Sequence, residues 1–127
     1  MEIKPEIIHK VQINNQYLIY IKEQIIGEIN YIIEDNILII GWLNIYEEFQ
    51  NNKYGYQVVE SLLKNNNIKC IIGQSLKESR TFWNKCIKKY KGCRKNITYS
   101  NACSSSFIIP KIKIDNFEFY LEISNNL

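Results

Sequence analysis

LNIYEEFQNNKYGYQVVESLL, residues 43–63, changes its period partway along, and that change decides the fold. Leu43-Asn44-Ile45 closes a nearly unbroken apolar run that begins at Ile37 (ILIIGWLNI). Such a run suits a central strand covered on both faces. Gly41 inside it predicts a bulge or a close backbone approach. A polar stretch follows from Tyr46 to Lys53. From Tyr54 the apolar residues Val58, Val59, Leu62 and Leu63 recur at helical spacing, so residues 54–64 read as a helix with one buried stripe. Strand, polar loop and helix in this order bring several consecutive backbone N–H groups to a helix N-terminus near Gly55. Those donors have no partner within the helix and lie at its positive end, which favours a phosphate. Lys53 adds a cation. A single glycine is a weak fingerprint, and an ordinary strand-to-helix loop has the same residues.

Outward from this segment, the first 45 residues read as strands: Glu6–Ile13, Tyr17–Lys22, Ile25–Glu34 and Ile37–Ile45. Asn14-Asn15 and Asp35-Asn36 mark turns between them. Downstream, Asn65-Asn66-Asn67 ends the helix and Ile68–Gly73 is a short β-branched strand. Leu76–Lys91 reads as a second helix, with Phe82, Trp83, Cys86, Ile87 and Tyr90 on one face. Residues 92–106 are irregular, and Phe107–Ile114 and Phe117–Ile123 read as two strands around a turn at Asp115-Asn116. The order is β-β-β-β-α-β-α-β-β. Strands joined by short turns are antiparallel, whereas a strand–helix–strand unit implies a parallel pair with a crossover. The expected fold is α/β with a mixed sheet, covered by at least two helices. The exposed character of Phe107–Ile123 would admit edge pairing between subunits.

Composition narrows the class. The 127 residues make one domain, and 46% hydrophobic residues with 13% aromatics exclude a disordered chain. No apolar run approaches the roughly 20 residues needed to cross a bilayer. The start, MEIKPEIIHK, lacks a signal-peptide core, so a cytoplasmic location with reduced thiols is expected. Cys70, Cys86, Cys93 and Cys103 form no C-x-x-C pair, and the single histidine, His9, is far off in sequence; no zinc site is expected. The thiols read as small buried apolar groups, and His9 as a surface residue of a strand.

Leu43-Asn44-Ile45, then Gln50-x-x-Lys53-x-Gly55, resembles the acyl-CoA-binding motif of the GNAT superfamily of N-acyltransferases, in which a strand ending L-x-V precedes Q/R-x-x-G-x-G/A. Ser79-Arg80-Thr81-Phe82-Trp83-Asn84-Lys85 resembles that family's later F-[YW]-x-K helix. The resemblance covers about residues 16–123 and implies a shortened member, with the usual N-terminal helix pair absent or replaced by a strand. It implies acetyl-CoA as cosubstrate, direct transfer of its acetyl group to a primary amine, and a splayed pair of central strands, Ile37–Ile45 and Ile68–Gly73, that admits the pantetheine arm. Cofactor contacts carried over residue by residue are Leu43, Ile45, Gln50, Lys53, Tyr54, Gly55, Tyr56, Ser79 and Trp83. A backbone N–H near Ile45 would stabilise the charge developing on the thioester oxygen, and Ser79 would bond the cofactor's amide arm. Lys53 stands at the motif's first glycine; if φ is positive there, a side chain costs about 1–2 kcal/mol. Trp83 stands where many members carry a tyrosine that protonates the leaving thiolate. Indole cannot do so, which passes that role to Tyr90 or water. The candidate base is Glu47, followed by Glu28 and Glu48.

Residues 77–95 carry eight Lys or Arg against one acid, Glu78. A solvated helix face accounts for this; so does an acidic partner such as the phosphates of coenzyme A or RNA, including a charged tRNA. Three functions therefore share one fold: an N-acetyltransferase for small amines, one acting on aminoacyl-tRNA, and a catalytically idle domain that binds cofactor or protein.

Overall fold

The computed structural model describes residues 5–11, 15–65, 67–95 and 105–127. Seven strands form one sheet in the order β1-β2-β3-β4-β5-β7-β6. They are β1 (Glu6–Val11), β2 (Gln16–Ile21), β3 (Gln24–Glu34), β4 (Ile37–Ile45), β5 (Cys70–Ser75), β6 (Cys93–Lys95) and β7 (Ser105–Ile109). Helices α1 (Tyr54–Leu63) and α2 (Arg80–Lys89) follow β4 and β5, and α3 (Phe117–Asn125) ends the described chain. All pairs are antiparallel except β4 with β5. The architecture is the expected mixed sheet, and β4 and α1 fall where the 43–63 segment places them.

The run Ile37–Ile40 is fully buried because both faces of the sheet are covered. Leu38 and Ile40 join Val58, Val59 and Leu62 of α1 and Trp83 and Cys86 of α2 in one core. Ile37 and Ile39 join Phe117, Tyr120 and Leu121 of α3 in the other. At Gly41 the register slips: Asn30 pairs with Trp42 and Tyr31 with Ile40, leaving Gly41 as the extra residue. This is the bulge that the glycine predicts. A Cβ there would collide with the Asn30 side chain and stand 2.7 Å from Cβ of Leu127. After the bulge the alternation shifts by one, so Leu43 and Ile45 face the α1–α2 side as Leu38 and Ile40 do.

Two expectations fail at the C-terminal end. Phe117–Ile123 is not a strand but most of α3. Its buried residues Phe117, Tyr120, Leu121 and Ser124 recur at helical spacing, and Phe119, which a strand would bury beside Phe117, is 53% exposed. Phe107–Ile114 shortens to β7, whose Phe107, Ile108 and Ile109 are fully buried between β5 and β6. The segment 107–123 is thus no free edge; among the described residues the sheet edges are β1 and β6. Within the stretch read as irregular, Cys93–Lys95 forms β6, and residues 96–104, with Cys103, lie outside the described residues. So do Asn14 and the end of the Glu6–Ile13 strand reading. Ile68–Gly73 moves two residues forward to β5. His9 is in β1.

Candidate functional site

β4 and β5 pair over only three positions, Ile37–Ile39 against Cys70–Ile72, and then separate. A cleft of about 620 Å³ lies at this divergence, bounded by the end of β4, the 49–56 loop and the first turn of α2. Leu43, Ile45, Gln50, Lys53, Tyr54, Gly55, Tyr56, Ser79 and Trp83 all line it. The structure therefore brings together the whole set of residues carried over for the cofactor.

The loop presents donors and hides acceptors. The Gln50 side chain donates to the Ile45 carbonyl at 2.8 Å. Asn52 Nδ2 donates to the carbonyls of Phe49 and Gln50, both at 3.2 Å. The first backbone bond of α1 runs from the Gln57 N–H to the Lys53 carbonyl at 3.2 Å. The N–H groups of Tyr54, Gly55 and Tyr56 therefore have no helix partner, and all three residues line the cleft. Lys53 caps α1 with φ 64° and ψ 15°, and Asn51 also has a positive φ of 67°. Lys53 thus stands in a left-handed turn, the strained case for a side chain. Gly55 has an ordinary helical φ and is required for space: a Cβ there would lie 2.8 Å from Phe82 Cε1. Phe82 is held by a stack on Tyr56 at 4.9 Å and an edge contact with Trp83 at 5.0 Å. Trp83, itself buried, stacks on Phe107 at 4.6 Å. This aromatic row joins the N-termini of both helices to the sheet.

Backbone polarity at the end of β4 follows from its pairing. The Tyr46 N–H donates to the Ile26 carbonyl at 2.9 Å. In a strand, successive residues turn their N–H and C=O groups to opposite sides. The amide groups of Ile45 therefore point away from β3, into the gap that β5 has left. Gln50 takes the Ile45 carbonyl, and the Ile45 N–H remains for an acceptor in the cleft.

The two residues expected to move protons are not in the cleft lining. Glu47 is exposed on a 3-10 turn, Glu47–Phe49. Tyr90 lines a separate hollow, and its hydroxyl donates to the Tyr56 carbonyl at 3.3 Å. Burial, followed by the Glu60 carboxylate, pushes its phenol above the usual range. Of the other carboxylates named, Glu28 is half-buried and pairs directly with Asn44, a residue of the cleft. Its influence reaches Tyr46, whose phenol is pushed up by partial burial and then by Glu28 and Glu48. The Ser79 hydroxyl donates to the Leu76 carbonyl at 3.3 Å, and the residue leads into α2 without capping it.

Arg94 was not among the expected site residues. Its guanidinium bonds Asn84 Oδ1 through Nε at 3.1 Å and through Nη2 at 2.6 Å, Ser75 Oγ at 2.7 Å and the Ser105 carbonyl at 3.0 Å. It ties α2, β5 and β7 together. Burial, then the charge of Arg80, lowers its pKa. No local signal marks it, because its partners come from three distant segments.

No family profile and no curated protein sequence matches the chain. Solved structures match it in shape. An acetyltransferase from Thermus thermophilus superposes with a TM-score of 0.60 at 12% identity, over 76% of this chain and 63% of that one. This chain thus spans less than two thirds of the Thermus protein. Diaminobutyrate acetyltransferase EctA from Paenibacillus lautus, solved with L-2,4-diaminobutyric acid and coenzyme A, gives 0.59 at 9% identity, over 80% of this chain and 74% of that one. A GNAT-family acetyltransferase from Bacillus cereus ATCC 10987 gives 0.56 at 10% identity, over 80% and 72%. No helix of the described residues is long and apolar enough to cross a membrane. The bulged β4, its parting from β5 and the two helix N-termini at the gap belong to a chain with the GNAT acetyltransferase fold.

Proposed function

We propose that the protein is an N-acetyltransferase that takes its acetyl group from acetyl-CoA and gives it to a primary amine. One observation carries this reading: β4 and β5 part after three pairs, and the cleft there is lined by Tyr54, Gly55 and Tyr56, whose N–H groups lack a helix partner. The pyrophosphate binds those amides with Lys53 beside it. The pantetheine arm runs along Leu43–Ile45 past Ser79 and over Phe82 and Trp83. The Ile45 N–H donates to the thioester oxygen. The amine nitrogen attacks the carbonyl carbon, a C–N bond forms, and the C–S bond breaks. Most of the acceleration is positioning of two reactants, with charge stabilisation from the backbone. Glu28 takes the ammonium proton through water, ahead of Glu47, because the strand register sets it across from Asn44. The thiolate is protonated by water, since Trp83 has no acidic proton and Tyr90 is outside the cleft lining.

Calorimetric titration with acetyl-CoA tests the site; absence of heat at millimolar ligand overturns it. Thiol release measured across a panel of amines tests turnover, with E28Q expected to lower kcat more than E47Q. A second reading, cofactor binding without turnover, is favoured by the buried indole of Trp83 where a phenol would be useful. Heat with acetyl-CoA but no thiol release for any amine would select it.

A further inference from the structure

Charge is divided across the sheet. Residues 61–114 hold twelve of the 16 basic side chains but only one of the 13 acids, Glu78. They build α2 and the β5, β7 and β6 side of the sheet, while the acids of the first 60 residues accompany β1–β4 and α1. At the ends of the helices away from the cleft the cations crowd together. Lys64 follows α1, Lys88 and Lys89 close α2, and Lys69 precedes β5. The Lys91 carbonyl accepts the Lys111 N–H at 2.7 Å, which brings the chain leaving β7 to the same place. All six side chains are exposed. Between them is a second hollow of about 290 Å³, lined by Lys69, Lys89 and Lys91 and by the apolar surfaces of Leu63, Ile68, Tyr90 and Pro110. No carboxylate of the described residues lines it. The nearest acids are few: Glu60, whose charge also acts on Tyr90, is 4.0 Å from Lys64, and Asp35, next to Glu34, accepts the Tyr120 hydroxyl at 2.8 Å.

Helix dipoles explain part of this. Cations in the last turn of α2 complement its negative end. Lys69 and Lys111 are on no helix, so the dipole does not account for them. Like charges gathered on one surface repel and attract counterions, and releasing those counterions is the driving force for binding a polyanion. An apolar floor with a tyrosine, ringed by point cations, matches the way single strands are held, by phosphates on the rim and sugars or bases on the floor.

We propose that this basic end, centred on the hollow beside Tyr90, binds the backbone of a single-stranded nucleic acid. The site is separate from the acetyl-CoA cleft, and its test does not depend on acetyl transfer.

Fluorescence anisotropy with labelled RNA and DNA 20-mers, titrated at 50 and 200 mM KCl, reads it directly. Engagement of four phosphates gives a log–log salt slope of about −3, so affinity falls roughly 50-fold over that range. The triple reversal K69E/K89E/K91E should weaken binding at 50 mM KCl more than tenfold and flatten the slope by about 2, while the heat of acetyl-CoA binding stays unchanged. The milder K89Q/K91Q should weaken binding in the same direction if the triple variant fails to fold. RNA and DNA arms differ only if the 2′-hydroxyl is also read. The proposal is overturned by no binding at 50 mM, by salt-independent binding, or by reversals without effect. Loss of binding in K53E/K85E instead would place the strand in the cleft and overturn it as well. Equal affinity for polyglutamate of matched charge would assign the surface to an acidic protein and not to nucleic acid.

Discussion

Replacing Lys53 by glycine separates two effects that the lysine combines. Its backbone is left-handed, at φ 64° and ψ 15°. An L side chain there costs about 1–2 kcal/mol, and glycine removes that cost while adding roughly 0.5–1 kcal/mol of freedom to the unfolded chain. The net gain is about 0.5–1 kcal/mol, which for a domain of this size raises Tm by about 2–4 °C. The ammonium is exposed, so its attraction to a phosphate is screened to about 1 kcal/mol, or roughly fivefold in Kd. K53G should therefore melt higher and bind acetyl-CoA about fivefold more weakly. K53A should bind as weakly but gain no stability, since alanine keeps the left-handed cost. Differential scanning calorimetry and titration calorimetry on the three proteins decide the matter. If K53G melts below the parent, the backbone argument is wrong; if K53A binds as tightly as the parent, the amides act without the cation.

Arg94 makes four hydrogen bonds to three segments, so R94M should cost about 2–4 kcal/mol in urea denaturation and loosen the α2 edge of the cleft; a loss below about 0.5 kcal/mol would refute its clamping role. Leu121 is fully buried under β4 and β5, and L121A should cost about 3–4 kcal/mol, whereas F119A, on the exposed face of α3, should change stability by less than about 1 kcal/mol; the reverse ranking would restore the strand reading of this segment. Burial pushes the Cys70 thiol up to about 11 and the Cys86 thiol to about 12, from an ordinary 9.0. The folded chain then holds more protons than the unfolded one above about pH 9, so stability should fall as pH rises from 9 toward 12. At pH 8 a thiol reagent should modify Cys93 in the native protein and reach Cys70 and Cys86 only on unfolding; fast native modification of either would contradict their burial.

The legible parts of the fold were those in which one local pattern dominates. Ile37–Ile45 reads as a doubly covered strand because nearly every residue is apolar, and its bounds match β4. Val58, Val59 and Leu62 phase α1 without ambiguity. The C-terminal misreading arose because FEFYLEI supports both periods: Phe117, Phe119, Leu121 and Ile123 alternate, while Phe117, Tyr120, Leu121 and Ser124 recur by turns of a helix. Packing against Ile37, Ile39, Cys70 and Ile72 chose the helix, and that choice is invisible locally. β5 ends later than expected because its pairing with β7 continues to Ser75, whose buried hydroxyl accepts a hydrogen bond from Arg94, 19 residues on. In the cleft, the motif positions were readable because their spacing follows one loop. The order among the candidate carboxylates was not: proximity along the chain puts Glu47 ahead of Glu28, and only the β3–β4 register sets Glu28 against Asn44.

Four strands, β1 to β4, lie on one side of the β4–β5 seam, and three, β5, β7 and β6, lie on the other. The ladder that joins them has three rungs: Ile37 with Cys70, Leu38 with Ile71 and Ile39 with Ile72. Two plates are thus riveted along one short line, and past it, among the described residues, no strand pairing joins β4 to β5. A molecule lodged in the gap and touching both plates would act as a second rivet. Its binding free energy would then appear as resistance to unfolding, growing as RT ln(1 + [L]/Kd), and hydrogen exchange in β6 and β7 would slow together with that in β3.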